Sequence, residues 1–305
     1  MDQLAWIAVD WGTTSLRIWG LSETQDIVFE QCSAQGMATL NDAQAFEEVL
    51  LQHIEEYLLP SQQVDVVCCG MVGAKQGWFD AGYQTLPCNP LAMQSAVAVP
   101  MTDTRCRVWI LPGLCQTSPA DVMRGEETQI AGVLAAHANF DGVVCLPGTH
   151  SKWASCKAGL VTEFATYMTG EMFALLSQQS VLRFSVASEL WHDEVFVEAV
   201  KEAVAQPATI SHLLFSVRSA DLLGQGATTY GKARLSGLLI GLELAGAGPF
   251  WQHKTVHLIG NDALSQCYQL ALSSLAIDYQ VYDGETCVLR GLQAAYQQLK
   301  SDDNA

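Results

Sequence analysis

The stretch Ile7-Ala8-Val9-Asp10-Trp11-Gly12-Thr13-Thr14-Ser15-Leu16-Arg17-Ile18-Trp19 decides how this chain is read. An apolar run ends in one carboxylate, passes through a Gly-Thr-Thr-Ser turn and continues as a second, alternating strand. Asp10 falls at the exit of the first strand. Gly12 lets the backbone approach a ligand without a side chain in the way. Thr13, Thr14 and Ser15 add hydroxyls beside the N–H groups of the turn, a concavity suited to phosphate oxygens. A carboxylate beside phosphates is well placed to hold Mg²⁺, usually through water. The same letters also fit an ordinary hairpin with a capping Asp, and this stretch alone does not separate the two.

The chain then repeats itself. Gly142 to Pro147 reads as a strand and is followed by Gly148-Thr149-His150-Ser151-Lys152-Trp153. Both copies carry Gly-Thr-x-Ser after an apolar strand, and both continue as strand, turn, strand, helix. Two such turns facing each other would hold the two ends of a polyphosphate.

Composition bounds the possibilities. A chain of 305 residues has room for two domains with their own cores. Half of it is apolar and 15% is charged, which describes a compact fold rather than a disordered chain. With 15 basic against 32 acidic residues the formal charge is −17, so a nucleic acid or an anionic membrane is not an expected partner. Against that background Arg17, Lys75, Arg124 and Lys152 stand out because they lie inside motifs. The 10 cysteines include no Cys-x-x-Cys pair, and several fall in apolar strands. They read as reduced core thiols, and with no evident signal peptide the expected location is the cytoplasm. No apolar stretch is long enough to span a bilayer. Oligomeric state is left open, a homo-oligomer included.

Along the rest of the chain, residues 5–10, 15–21 and 26–31 read as strands and 41–58 as a helix. The buried strand 64–69 runs into Gly70-Met71-Val72-Gly73-Ala74-Lys75-Gln76-Gly77-Trp78. A glycine-punctuated loop after such a strand is where α/β proteins place ligand contacts, and Lys75, Gln76 and Trp78 offer a charge, an amide and a ring. A strand at 106–111 precedes Asp121-Val122-Met123-Arg124-Gly125-Glu126-Glu127-Thr128-Gln129, which opens a helix running to about His137. Two adjacent carboxylates at a helix start favour its dipole, but capping explains at most one of them. A carboxylate here that faces a cleft also suits a general base. Met168 to Glu171 reads as a helix N-cap, and helices are expected at 170–182 and 190–205. Gly226 to Lys232 matches the spacing of a phosphate-binding Walker loop, yet Ala233 lacks the needed hydroxyl and no strand leads in. It reads as a polar turn before a helix at 235–244 whose Gly237 and Gly241 suit close packing. The strand at 255–259 runs into Gly260-Asn261, where the backbone suits contact with an adenine or ribose. A helix to about Ser274, a strand at 277–282 and a helix at 287–299 close the chain.

Taken together these strings resemble the carbohydrate kinases of the actin-like ATPase superfamily, and more narrowly the 2-dehydro-3-deoxygalactonokinase family. Arg124-Gly125-Glu126-Glu127-Thr128-Gln129 and Pro147-Gly148-Thr149-His150-Ser151-Lys152-Trp153 are the most specific. The resemblance implies an α/β fold of two RNase H-like domains with an interdomain cleft. The expected division is 1–114 and 115–285, with 286–305 packing back on the first domain. It also implies transfer of the ATP γ-phosphoryl group, with Mg²⁺, to the 6-hydroxyl of 2-dehydro-3-deoxy-D-galactonate. Asp10 is then the metal residue and Glu126 the expected base, with Glu127 and Asp121 as alternatives. Arg17, Lys75, Gln76, Trp78 and Arg124 would hold the acid sugar. Gly12, Thr13, Thr14, Ser15, Gly148, Thr149, His150, Ser151, Lys152, Gly260 and Asn261 would hold the nucleotide. Other readings are a kinase for another sugar acid, such as the gluconate-derived epimer, and a polyphosphate phosphatase. A sugar-sensing regulator would need a DNA-reading segment, which this sequence does not offer.

Overall fold

Two five-strand patterns, one early and one late in the chain, share a single topology. The structure, a computed structural model, describes residues 3–90, 93–137, 139–225, 227–260 and 262–303. In chain order the first part contains β1 (Trp6–Trp11), β2 (Leu16–Leu21), β3 (Ile27–Ser33), α1 (Ala43–Ile54), β4 (Val64–Cys69), β5 (Tyr83–Thr85) and β6 (Val97–Val99). There follow β7 (Cys106–Ile110), β8 (Gly113–Thr117), β9 (Ala120–Met123) and α2 (Glu126–Ala136). The second part contains β10 (Gly142–Leu146), β11 (Ser151–Lys157), β12 (Leu160–Tyr167), α3 (Thr169–Gln178), α4 (Asp193–Ala205) and α5 (Ile210–Leu222). It continues with α6 (Ala227–Gly246), α7 (Gly248–Trp251), β13 (Val256–Ile259), α8 (Ala263–Ser274) and β14 (Tyr279–Tyr282), before α9 (Gly284–Asp303).

The first sheet runs β3-β2-β1-β4-β7-β6, with β1, β2 and β3 antiparallel in sequence and β1, β4 and β7 parallel. The second runs β12-β11-β10-β13-β14, with β10, β13 and β14 parallel. Three meandering strands followed by parallel crossovers is the RNase H-like arrangement, present here twice. By contacts the chain divides into unit 1 (1–140, 157–163 and 284–305) and unit 2 (141–156 and 164–283).

Central parallel strands are covered on both faces, so they read as continuous apolar runs. In β1 the alternation of side chains splits Ile7, Val9 and Trp11 from Trp6 and Ala8. The first set packs with Phe46, Leu50 and Ile54 of α1. The second packs with Val288, Leu292 and Tyr296 of α9, where the Trp6 and Tyr296 rings stack 4.2 Å apart.

The boundary after Phe140 differs from the expected one at 114. The reason is α2, which lies against α9 at van der Waals distance: a Cβ on Gly132 would collide with the Cys287 carbonyl, and one on Gly291 with that of Thr128. Residues 115–140 therefore belong with unit 1. In unit 2, Gly237 and Gly241 of α6 give the same closeness to the Phe196 and Val200 carbonyls of α4. Residues 227–232, read as a polar turn, are instead the first turns of α6; Gly226 lies outside the described residues. The hairpin β8–β9 and the helix α5 are further elements the sequence reading did not contain.

Candidate active site

In unit 1, β1 and β2 separate beyond the pair Trp11–Leu16, leaving Gly12 to Ser15 as a four-residue turn closed by the Gly12 N–H on the Ser15 carbonyl (2.9 Å). The hydroxyl-bearing Thr13, Thr14 and Ser15 are exposed. A segment the sequence reading passed over clamps this turn from behind. The N–H groups of Met37 and Ala38 bond the Gly12 and Thr13 carbonyls (3.0 and 2.9 Å). Gly36 lies so close that a Cβ would stand 2.5 Å from the Ser15 nitrogen.

Asp10 sits beside the turn with its side chain 16% exposed. Its Oδ2 pairs with Arg17 Nη2 (3.2 Å), and the Cys69 thiol donates weakly to Oδ1 (3.8 Å). Burial pushes the Asp10 carboxyl up from its ordinary range, and Arg17 opposes that shift. Arg17 also reaches Glu285 Oε2 (3.4 Å), so it bridges two carboxylates rather than standing free for a substrate. Gly70, at φ +92°, turns the chain away directly after β4; a Cβ here would lie 2.8 Å from the Trp11 carbonyl.

The loop that follows presents Lys75 and Gln76 to solvent. Trp78 is only 5% exposed: it packs with Trp11 and lies near-parallel to Phe46, at 6.0 and 6.1 Å between centroids. Its place is the core beneath the loop rather than the open face the sequence suggested. The reason is the fold-back at Gly77, after which the Trp78 N–H bonds the Val72 carbonyl (2.9 Å) and carries the ring inward.

Arg124 arrives from β9. Its Nη2 donates to the Gly82 carbonyl (2.8 Å), and its guanidinium lies 4.4 Å from the Tyr83 ring centroid. Gly73 makes the room, since a Cβ would fall 2.8 Å from Nη1. Nε and Nη1 are buried and have no hydrogen-bond partner among the described residues. Such orphaned donors on a cation are the chemistry of an anion site.

The two carboxylates at the start of α2 are both engaged. Glu126 Oε2 accepts the Arg124 N–H (3.0 Å), while both Glu127 oxygens accept the Gly125 N–H (2.9 and 2.7 Å). Each therefore satisfies a backbone donor, which the expectation allowed for only one. They differ in environment: Glu126 is half-buried and Glu127 is 1% exposed. Burial, with the neighbouring Glu126 charge second, pushes Glu127 up to about 8. Burial thus favours the protonated form of Glu127. Asp121, on β9, bonds the next N–H in the chain, that of Val122 (2.8 Å).

In unit 2 the corresponding turn is one residue longer between its flanking pair, Leu146–Lys152. The side chains that face out differ as well. Ser15 is exposed, but Ser151 is buried and joins the Tyr268 hydroxyl (2.9 Å). Lys152, 4% exposed, donates from Nζ to the His150 carbonyl (2.9 Å) and braces the turn from inside. These two were expected to face a nucleotide, and both point inward because they already belong to β11. Gly148, Thr149 and His150 remain at the surface, and His150 Nε2 meets Glu171 Oε2 (2.6 Å).

The start of α3 lies on this turn. The Glu171 N–H bonds the Thr149 carbonyl (3.0 Å), and a Cβ on Gly170 would stand 2.7 Å from Thr149 Cα. Thr169 donates to Glu243 instead of capping the helix, so the N-cap expected in Met168 to Glu171 does not form through a side chain. A cavity of about 300 Å³ opens against the turn, bounded by Gly148, Thr149, Phe173, Trp191, Leu239 and Leu264 among others. Ahead of α8, Gly260 adopts φ +137° and its carbonyl accepts Ser265 Oγ (2.7 Å), while Asp262 caps α8. Asn261 lies outside the described residues.

Paired RNase H-like units, each with a small-residue turn between its first two strands, define the actin-like ATPase class of fold. A solved structure described as a 2-dehydro-3-deoxygalactonokinase from Sinorhizobium meliloti is 38% identical, with a TM-score of 0.91 over 96% of this chain and 99% of that one. The sequence pattern of the 2-keto-3-deoxy-galactonokinase family matches residues 10–295. Two relatives named 2-dehydro-3-deoxygalactonokinase agree along nearly their whole length. That of Rhizobium meliloti (strain 1021) is 39% identical, covering 94% of this chain and 95% of the relative. That of Escherichia coli (strain K12) is 31% identical, covering 95% and 96%. This chain belongs to the 2-keto-3-deoxy-galactonokinase family, phosphotransferases with an alcohol group as acceptor.

Proposed function

We propose that the protein transfers the γ-phosphoryl group of ATP to the 6-hydroxyl of 2-dehydro-3-deoxy-D-galactonate. The observation that carries this reading is the cavity against Gly148 and Thr149. It joins an apolar, aromatic-walled space fit for a nucleobase to backbone N–H groups and a helix start fit for phosphates. Gly148, Thr149 and His150 are the phosphate contacts of unit 2, and Ala263 and Leu264 of α8 bound the nucleoside end.

Unit 1 supplies the acceptor side. The acid sugar is an anion approaching a protein of charge −17, so local positive charge is required. Lys75, exposed at its loop tip with Gln76 beside it, and the orphaned Nε and Nη1 of Arg124 supply it. Glu126 is the proposed base toward the 6-hydroxyl; general-base help of this kind is worth about 10²–10⁴-fold. The donor set at Asp10 fits Mg²⁺: one carboxylate, with exposed hydroxyls in the adjoining turn, is the kind of site that holds this ion through water and substrate phosphates. When bound it neutralises charge on the transferring group. Arg17, already paired with Asp10, holds that carboxylate in place.

Coupled ADP release measured with 2-dehydro-3-deoxygalactonate, its gluconate epimer and simple sugars tests the reading. Turnover is expected with the galactonate-derived acid. ATP hydrolysis that ignores every acceptor would instead mark a phosphatase, and preference for the epimer would move the substrate assignment to it.

A further inference from the structure

Beneath the second turn lies a buried polar cluster that the reaction described above does not use. Its centre is Glu243 of α6, 1% exposed. Oε1 accepts the indole N–H of Trp153 (2.8 Å); Oε2 accepts the Tyr268 hydroxyl (2.6 Å) and the Thr169 hydroxyl. Because the Tyr268 proton is committed to Glu243, the hydroxyl of Ser151 donates to Tyr268. The order is therefore fixed: Ser151 to Tyr268 to Glu243, with Thr169 and Trp153 converging on the same carboxylate.

The partners come from different elements around the cavity. Ser151 ends the second turn, Thr169 begins α3, Tyr268 lies on α8 and Glu243 itself on α6. The cavity is lined by the turn and by these same three helices, yet neither Glu243 nor Tyr268 lines it. Burying a carboxylate is costly unless it is fully bonded, and a cheaper apolar core was open to the fold here. The bonds tie α6 and α8 to the turn and to α3, adding to the Glu171 N–H bond that already joins α3 to Thr149.

We propose that Glu243 is a positioning residue for the phosphoryl donor: through Ser151, Thr169 and Tyr268 it fixes the second turn, the start of α3 and the body of α8 at the spacing the nucleotide needs. This rests on the nucleotide reading of the cavity. Glutamine can replace it with little loss of geometry. Its Oε1 accepts from Trp153, and its amide N–H groups point at two hydroxyls, which can turn round and accept. Alanine removes all three bonds to the carboxylate at once, and phenylalanine at Tyr268 removes two, the one to Glu243 and the one from Ser151, while leaving the ring.

The test is ADP affinity by calorimetry, together with KM for ATP and for the acid sugar and the unfolding temperature. Glu243→Ala is expected to weaken ADP by more than about tenfold, and Tyr268→Phe by about fivefold or more, the equivalent of one to two net hydrogen bonds. Glu243→Gln should restore affinity to within about threefold, and KM for the acid sugar should stay within about twofold throughout. Should Glu243→Ala fail to fold, Tyr268→Phe and Glu243→Gln still decide. A folded Tyr268→Phe protein with lowered unfolding temperature but unchanged ADP affinity overturns the inference, and so does a rise of both KM values together. If the unaltered protein binds no ADP, the nucleotide reading itself fails and this inference with it.

Discussion

Glu127 makes the stability of this protein depend on pH in an unusual direction. Its carboxyl is displaced from the ordinary 4.5 to about 8 by burial, so the native state keeps a proton that the unfolded chain releases. Below pH 4.5 both states hold the proton and nothing is lost. Between 4.5 and about 8 the unfolded state binds fewer protons, so stability falls as pH rises; above about 8 the loss levels off. At about 1.4 kcal/mol per pH unit the full loss is on the order of 5 kcal/mol. Glu127→Gln removes that slope. It keeps an acceptor for the Gly125 N–H but buries an amide N–H₂ without an assigned partner, a cost of about 1–3 kcal/mol. The variant should therefore be less stable than the unaltered protein at pH 5 and more stable at pH 9, the two curves crossing in between. Urea unfolding from pH 5 to 9, with m-values checked for constancy, reads this directly. Asp10 and Glu243 are also displaced upward, but they are common to both proteins and cancel in the difference. Parallel curves over the whole range would refute the reasoning and return Glu127 to an ordinary, ionised carboxylate.

Other outcomes follow from the same geometry. Asp10→Asn should leave folding intact and lower kcat by orders of magnitude, checked by steady-state turnover beside circular dichroism. Glu126→Gln should lower kcat by about 10²-fold or more with little change in either KM; full activity would remove Glu126 as base. Lys75→Met should raise KM for the acid sugar about tenfold or more, as expected for one charge-assisted bond, and leave KM for ATP nearly unchanged. Gly132→Ala should destabilise by about 1–3 kcal/mol, seen as a lower unfolding midpoint, because its Cβ has no space against the Cys287 carbonyl.

Much of this was legible in the sequence because it rests on local pattern. The strands flanking both turns announce themselves as apolar runs, and the two Gly-Thr-x-Ser strings mark the equivalent turns. What lies between equal strings was not legible. Ser15 and Ser151 occupy the same place in the repeated letters, yet the second turn has one more residue between its flanking pair, and Ser151 falls into the core. Trp78 sat in a string rich in polar and glycine residues, and only the tertiary fold-back at Gly77 shows that its ring points inward. The helix α5 buries only Leu213 and Val217 fully and leaves Phe215 and Leu222 exposed, so no apolar stripe announced it. Gly36 and Glu243 carry no motif. Their roles come from what the fold brings beside them.

The two-sided covering of β1 has a consequence for how the protein is made. One face of the first sheet is closed by α1, a near neighbour in the chain, and can form early. The other face, with Trp6, Ala8, Trp19 and Val67, is closed by α9, which follows the whole of unit 2. During synthesis the strands that appear first must wait, with two tryptophans uncovered, while unit 2 has its own helices for its core as it emerges. The second unit thus completes before the first. The interval between them is when this chain is most exposed to aggregation and to chaperones.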